Sequence, residues 1–356
     1  MYPCEQAFTL TTQSTDYLAG CAPAFAQATQ QQPLIKHTVQ IAEATVCLRF
    51  AGPALEAALL PALAHLTSAE IADPTVIMDL WDTASTGVRP PPPPFTATDY
   101  HRYGQRALTD NGRFAIMHTP TVPLLFAYDR AARHGFFWTA DANALSIYER
   151  AAPVQTLFHW ALREFGWQIV HAAAVGTEQG GVLLIGNTGA GKSTTALSCL
   201  TQDGLRLLSD DKCLVRLDPA PQALAAFSSG KIKADMLEHL PQFRHKLQGW
   251  DASYKAGKGL VFLYPDYAER LITTFAIKAL VITCVARQAQ ASIRPVPSVA
   301  AFRVFGPSTV IWLPGAEADN YHFTAELVRR LPCYQLDLAL EPQRNTDAIL
   351  NLLGRL

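Results

Sequence analysis

The apolar positions run to two different rhythms along the chain. In the first half short strand-like runs follow one another. HTVQIAEATVCLRF from His37 reads as strand, and ALEAALLPALAHL (54–66) as an amphipathic helix. TVIMDLW (75–81) reads as a buried strand, followed by RFAIMHT (113–119), LLFAYD (124–129) and HGFFWTA (134–140). These runs predict an antiparallel layer in the N-terminal half. PVQTLFHWALREF (153–165) places apolar residues at 154, 157, 158, 161, 162 and 165, which is one face of a helix. Pro153 stands in its first turn and Gly166 just past its end, so a domain boundary is expected in or near this helix. Strand and helix signals then alternate from VLLIG and STTALSCL through LRLLSDD, CLVRLD, AIKALVITCVAR, STVIWL, YHFTAELVRRL and YQLDLAL to DAILNLLGRL, the pattern of an α/β domain with helices on a core sheet.

Composition adds the segments that the pattern leaves blank. Residues 1–35 are rich in Ala, Gln and Thr, with QATQQQP at 27–33, and are expected to be weakly ordered. Five prolines at 90–94 exclude helix and central strand, so this run reads as a polyproline stretch serving as a stiff linker rather than as a ligand for a proline-binding domain. The expected organisation is a smaller N-terminal α+β domain over 36–152 and a second, α/β domain over 153–356 (α+β overall). With 356 residues, 49% hydrophobic and 17% charged, each half can bury a core. A formal charge of −1 gives no electrostatic reason to expect nucleic acid or an anionic membrane as partner. The seven cysteines lack metal or disulfide spacing, no signal peptide is visible and no apolar run reaches membrane-span length. A cytoplasmic protein with reduced thiols is expected, and homo-oligomerisation is left open.

The chemistry is concentrated at 171–211. Gly186-Asn187-Thr188-Gly189-Ala190-Gly191-Lys192-Ser193 fits GxxxxGK[ST] between a strand (182–185) and a helix-compatible run starting at Thr194. The glycines let backbone N–H groups turn inward at a helix start, Lys192 adds a charge for β- and γ-phosphates, and the Ser193 hydroxyl is placed for Mg²⁺. A glycine-rich turn that merely joins strand to helix leaves the Lys-Ser pair unexplained. Asp210 and Asp211 close the next strand, Leu205–Leu208, where a metal-organising carboxylate belongs. Neighbouring carboxylates at a strand end point apart, so one can face Mg²⁺ and the other an incoming hydroxyl. His171, 15 residues before the loop, is a structural or catalytic candidate, whereas His159 reads as surface. Lys231, Lys233, Lys255 and Lys258 are candidate cations for a moving phosphoryl group, each alternatively a solvated surface residue; Lys258, in a glycine-flanked loop before LVFLYP, has the best setting.

The ordered set VHAAAV, GGVLLIGNTGAGKSTTALSCL, GLRLLSDD resembles the HPr kinase/phosphorylase family, which shares its fold with ATP-dependent phosphoenolpyruvate carboxykinases. The likeness covers about residues 167–285 and matches His171, Gly186–Ser193, Asp210 and Asp211, with Thr188 where Ser is usual. It implies a P-loop domain with a mixed core sheet, ATP and Mg²⁺ as cofactors, and transfer of a phosphoryl group to a serine. AAFSSGKIKADMLEHLPQFRHKLQGW does not reproduce the family's signature for its phosphoacceptor protein, and the N-terminal half departs as well. The chain looks more like the HPr-kinase-like proteins of lasso-peptide maturation, which implies a precursor peptide as partner, phosphorylated at a C-terminal residue. The paired aspartates and the resemblance favour transfer over hydrolysis, one carboxylate organising the metal and the other accepting the proton; Asp210 is assigned to the metal and Asp211 to the proton, with the swapped assignment left open. A small-molecule kinase and a degenerate ATP-binding module remain alternatives at this stage.

Overall fold

The computed structural model describes residues 4–100, 107–252, 257–310 and 317–356. The chain divides into two compact units, one ending at Phe165 and the other beginning at Gly166.

The first unit is built on an eight-stranded sheet. Its strands are β1 (Leu34–Ile41), β2 (Ala44–Ala51), β3 (Thr67–Ser68), β4 (Val76–Asp82), β5 (Ala107–Asp110), β6 (Phe114–Thr119), β7 (Leu124–Asp129) and β8 (His134–Thr139), in the order β3-β1-β2-β4-β8-β7-β6-β5. The layer is mixed rather than antiparallel throughout, because β4 lies parallel to both β2 and β8. The run from His37 is two strands, turned at Ala42 with a positive φ, and Pro61 breaks the 54–66 helix into Pro53–Leu59 and two short 3₁₀ turns. Residues expected to be weakly ordered form a helix, Cys4–Gln31. Tyr17, Leu18, Cys21, Phe25 and Ala28 recur at helical spacing and are buried against Trp81, Ile116, Leu125 and Phe136 of the sheet. The proline run lies within this unit without helix or strand, and Pro91 packs so closely on the helix that a methyl group at Gly20 would sit 2.7 Å from its Cγ.

The division falls at Gly166, just past the Gln155–Leu162 helix, which is a core element of the first unit. Leu157 packs onto β8, where a methyl at Gly135 would come within 3.2 Å of it. His159 on this helix is fully buried, contrary to the surface position expected. Neither ring nitrogen has a hydrogen-bond partner among the described residues, and burial, then Arg163 and Arg130, lower its pKa to about 3.

The second unit is α/β. Its main sheet has nine strands: β9 (Gln168–His171), β10 (Ala173–Thr177), β11 (Gly180–Ile185), β12 (Arg206–Ser209), β13 (Lys212–Arg216), β14 (Gln222–Ala225), β18 (Thr274–Gln288), β19 (Ser292–Pro295) and β20 (Cys333–Ala339). β11, β18 and β20 run parallel, and hairpin partners extend them antiparallel. Alternate residues of β11 feed the two faces. Val182 and Leu184 pack with the Lys192–Ser198 and Pro342–Leu353 helices, while Leu183 and Ile185 pack with the Ser298–Val310 and Glu317–Arg330 helices. A separate antiparallel sheet joins β15 (Ser229–Lys233), β16 (Trp250–Asp251) and β17 (Lys258–Phe262). Among the described residues no helix is long and apolar enough to cross a membrane, and no cluster of His, Cys, Asp and Glu is arranged to hold a metal ion by itself.

Candidate functional site

The Gly186–Gly191 loop leaves the end of β11, which is buried along its length, and enters the Lys192–Ser198 helix. Gly189 and Gly191 have φ of 86° and 91°, a backbone region that only glycine enters without strain. At Gly191 there is also no room for a side chain, since a methyl group would meet Leu338 Cδ1 at 2.2 Å. Lys192 is buried, and its Nζ donates to the carbonyls of Gly186 (2.7 Å) and Asn187 (3.3 Å) at the head of the loop. Burial pushes its pKa down, against the opposing pull of Asp211 and Asp210.

Strand pairing delivers the next groups. β9 and β13 are antiparallel with His171 opposite Lys212, which sets His171 beside the residue preceding Lys212. His171 Nε2 lies 3.2 Å from Asp211 Oδ1, across 40 positions of sequence. The two aspartates do point apart. Asp210 is buried behind the cavity, and its Oδ2 accepts the Lys231 N–H at 2.9 Å. Its Oδ1 has no hydrogen-bond partner among the described residues. Burial raises its pKa, opposed by Lys231 and, more weakly, by the nearby Ser193 side chain. Asp211, 24% exposed, faces the cavity and accepts Lys231 Nζ at 3.0 Å on Oδ2. Burial acts against its ionisation, but Lys231 and His171 outweigh that and hold the carboxyl well below its ordinary range.

Lys231 is therefore a buried cation at 8% exposure, not a solvated one, and the two carboxylates raise its pKa despite burial. β15 pairs with β17 so that Lys233 stands opposite Lys258, and with the two-residue period Lys231, Lys233 and Lys258 share one face. Lys258 opens a strand rather than sitting in a loop, and burial, reinforced by Lys231, lowers its pKa. Lys255 lies outside the described residues.

One cavity of about 360 Å³ gathers these groups. Thr188, Gly189, Ala190, Gly191, Lys192, Ser193 and Thr194 form one side, with His171, Asp211, Lys231, Lys233 and Lys258 around it. Gly186 and Asn187 contribute through their carbonyls to Lys192. The lining also includes residues that the sequence reading did not single out. Asp235 and Met236 come from the short 3₁₀ segment after β15 and His239 and Leu240 from just past it, Val285 and Leu338 from the ends of β18 and β20, Leu340 from just beyond β20, and Pro342 and Asn345 from the Pro342–Leu353 helix. Four lysines against Asp211 and Asp235 in its lining make the cavity suited to an anion.

No protein-family model matches the chain, and no curated protein matches it. Among solved structures it is similar to the Hpr(Ser) kinase/phosphatase from Coxiella burnetii, with a TM-score of 0.29 and 10% sequence identity, over 53% of this chain and 96% of that one. An overlap at that TM-score decides neither fold nor activity, and the functional reading rests on the cavity itself.

Proposed function

We propose that the second unit is an ATP- and Mg²⁺-dependent phosphotransferase that moves the γ-phosphoryl group of ATP onto a hydroxyl. One observation carries this reading: a single cavity collects the glycine loop with Lys192 and Ser193, Asp211, His171 and three further lysines, with Asp210 buried next to it and bonded to the Lys231 N–H. The residues also fit a divalent cation. Asp210 Oδ1 is a buried carboxylate oxygen without a hydrogen-bond partner among the described residues, the Ser193 side chain interacts with the same carboxyl group, and such an oxygen is costly unless a cation or donor meets it. Asp210 and the Ser193 hydroxyl would hold Mg²⁺, which would supply positive charge to offset that of the phosphates.

The chain's own groups account for the remaining work. The N–H groups of residues 189–191 and the Lys192 ammonium would hold the β- and γ-phosphates. Lys258 would approach the transferred group, its charge less solvated than a surface lysine's. Asp211 would orient the attacking hydroxyl and accept its proton on the cavity-facing carboxylate. Its low pKa makes it a weak base that is always in the acceptor form, which suits a transfer needing alignment more than proton removal. His171 and Lys231 would fix its orientation.

The resemblance drawn from the sequence extends the proposal to a serine hydroxyl of a peptide or protein, and further to a lasso-type precursor. In the first unit, β5 lies at a sheet edge, which supports strand addition by an extended peptide. The test is mass spectrometry of a serine-terminated peptide incubated with ATP, Mg²⁺ and the full chain. A phosphate increment is expected with wild type, should be lost in Asp211→Asn with ATP binding retained, and should be lost together with ATP binding in Lys192→Ala. Undiminished transfer by both variants would refute the assignment.

A further inference from the structure

The two flanks of the glycine loop differ in chemistry. On one, Lys233 Nζ lies 4.0 Å from where a Gly189 methyl would be. On the other, Gly191 is backed by Leu338 and Val285, which pair across the parallel β18–β20 ladder. Beyond Leu338 the cavity wall continues through Leu340 and Pro342. Two of these apolar side chains are open to solvent, Val285 at 49% and Leu340 at 65% exposure. Large apolar groups left uncovered along a polar cavity mark a surface shaped for a flat or apolar part of a ligand. From Leu338 to Leu340 the chain advances by ~7 Å, the kind of span a ribose bridges between a phosphate cradle and a base.

The same end offers little to read a base edge. Its polar side chain, Asn345, has both amide atoms engaged with the backbone of Ala339: Oδ1 accepts its N–H at 2.8 Å and Nδ2 donates to its carbonyl at 3.2 Å. The Leu340 N–H donates to the Gln288 carbonyl at 3.0 Å. Among the described lining residues here, the apolar side chains present faces, and the one side-chain amide is held against the backbone.

We propose that Val285, Leu338, Leu340 and Pro342 form the platform for the base of the nucleoside triphosphate, and that they hold it by stacking and apolar contact without reading its hydrogen-bonding edge. The proposal rests on the phosphate-cradle reading above. It makes the site tolerant of the base, with ATP and GTP bound alike, because an apolar surface discriminates poorly where a hydrogen-bonding site would discriminate steeply.

Titration calorimetry of the full chain with Mg²⁺ and three probes, ATP, GTP and inorganic triphosphate, tests this. Wild type should bind ATP and GTP within about threefold of each other. Leu340→Asp should weaken both nucleotides about tenfold, the scale of one base-stacking contact, and leave inorganic triphosphate unchanged. Since Leu340 is exposed, the variant should melt with wild type. Leu340→Trp, which enlarges the platform, should tighten both nucleotides and again leave triphosphate unchanged. Equal losses for nucleotides and triphosphate, no loss for nucleotides, or a preference for one purine of about a hundredfold or more would overturn the platform while leaving the cradle standing. Failure of wild type to bind inorganic triphosphate would instead remove the cradle, and the platform with it.

Discussion

Lys231→Met keeps the length of the side chain and the backbone N–H that Asp210 uses, and removes only the ammonium that sits 3.0 Å from Asp211 Oδ2. Breaking a buried ion pair from one side costs about 3–5 kcal/mol, because a charge is left without compensation. Asp211 is 24% exposed and keeps His171, which places the effect near the lower end, about 3 kcal/mol. For a domain of this size that corresponds to a fall in melting temperature of about 6–12 °C. The pH dependence follows from the two carboxylates. Asp211 has a depressed native pKa, so its contribution is complete above its unfolded value near ~3.9 and fades as pH drops through the native value. Asp210 has a raised pKa and opposes folding at neutral pH. Without Lys231 both carboxylates become easier to protonate, and proton uptake relieves the variant as pH falls. The gap between wild type and variant should therefore be widest near neutrality and narrow toward about pH 5. Calorimetric melts at the two pH values measure it, with Lys231→Arg retaining most of the wild-type stability. A variant melting within about 2 °C of wild type, or a gap that widens on acidification, would refute the reasoning.

Gly191→Ala should abolish triphosphate binding in calorimetry, since φ of 91° and a methyl at 2.2 Å from Leu338 force the loop to move; unchanged affinity would mean the loop geometry does not make the cradle. His159→Phe removes two buried nitrogens without partners and should raise stability by about 1–3 kcal/mol in urea melts. With a native pKa of about 3 against ~6.5 unfolded, wild-type His159 loses stability as pH falls below the unfolded value, and the variant should lose less. Identical pH slopes would contradict that account.

The α/β character of the second unit and the glycine loop were legible because strand period, glycine spacing and Lys-Ser all sit within one short window. The Asp pair was legible for the same reason, and its divergence followed from strand geometry. The Cys4–Gln31 helix was not, since Gln, Thr and Pro23 blur a stripe that only the packed sheet makes visible. His159 was misplaced because a single histidine on an otherwise apolar helix face carries no signal of which way it turns. Lys231 was undervalued for a related reason: its burial depends on a backbone bond to Asp210, 21 positions earlier. The platform residues Val285 and Leu340 had no local motif at all, because strand pairing, not spacing, brings them to the loop.

The central strand has a consequence for how this unit comes into being. β11 reaches its parallel neighbour only when Ile185 meets Ile282, roughly 100 residues later in the chain. At a synthesis rate of about 5–20 residues per second, the loop segment waits about 5–20 s for the strand that backs it. During that interval β11, apolar on both faces, has only its hairpin partner β10 and the strands that follow it. Pairings so distant in sequence also slow folding of the released chain. The nascent unit thus leaves an apolar strand without its parallel neighbour for seconds, the interval in which a chaperone would meet it.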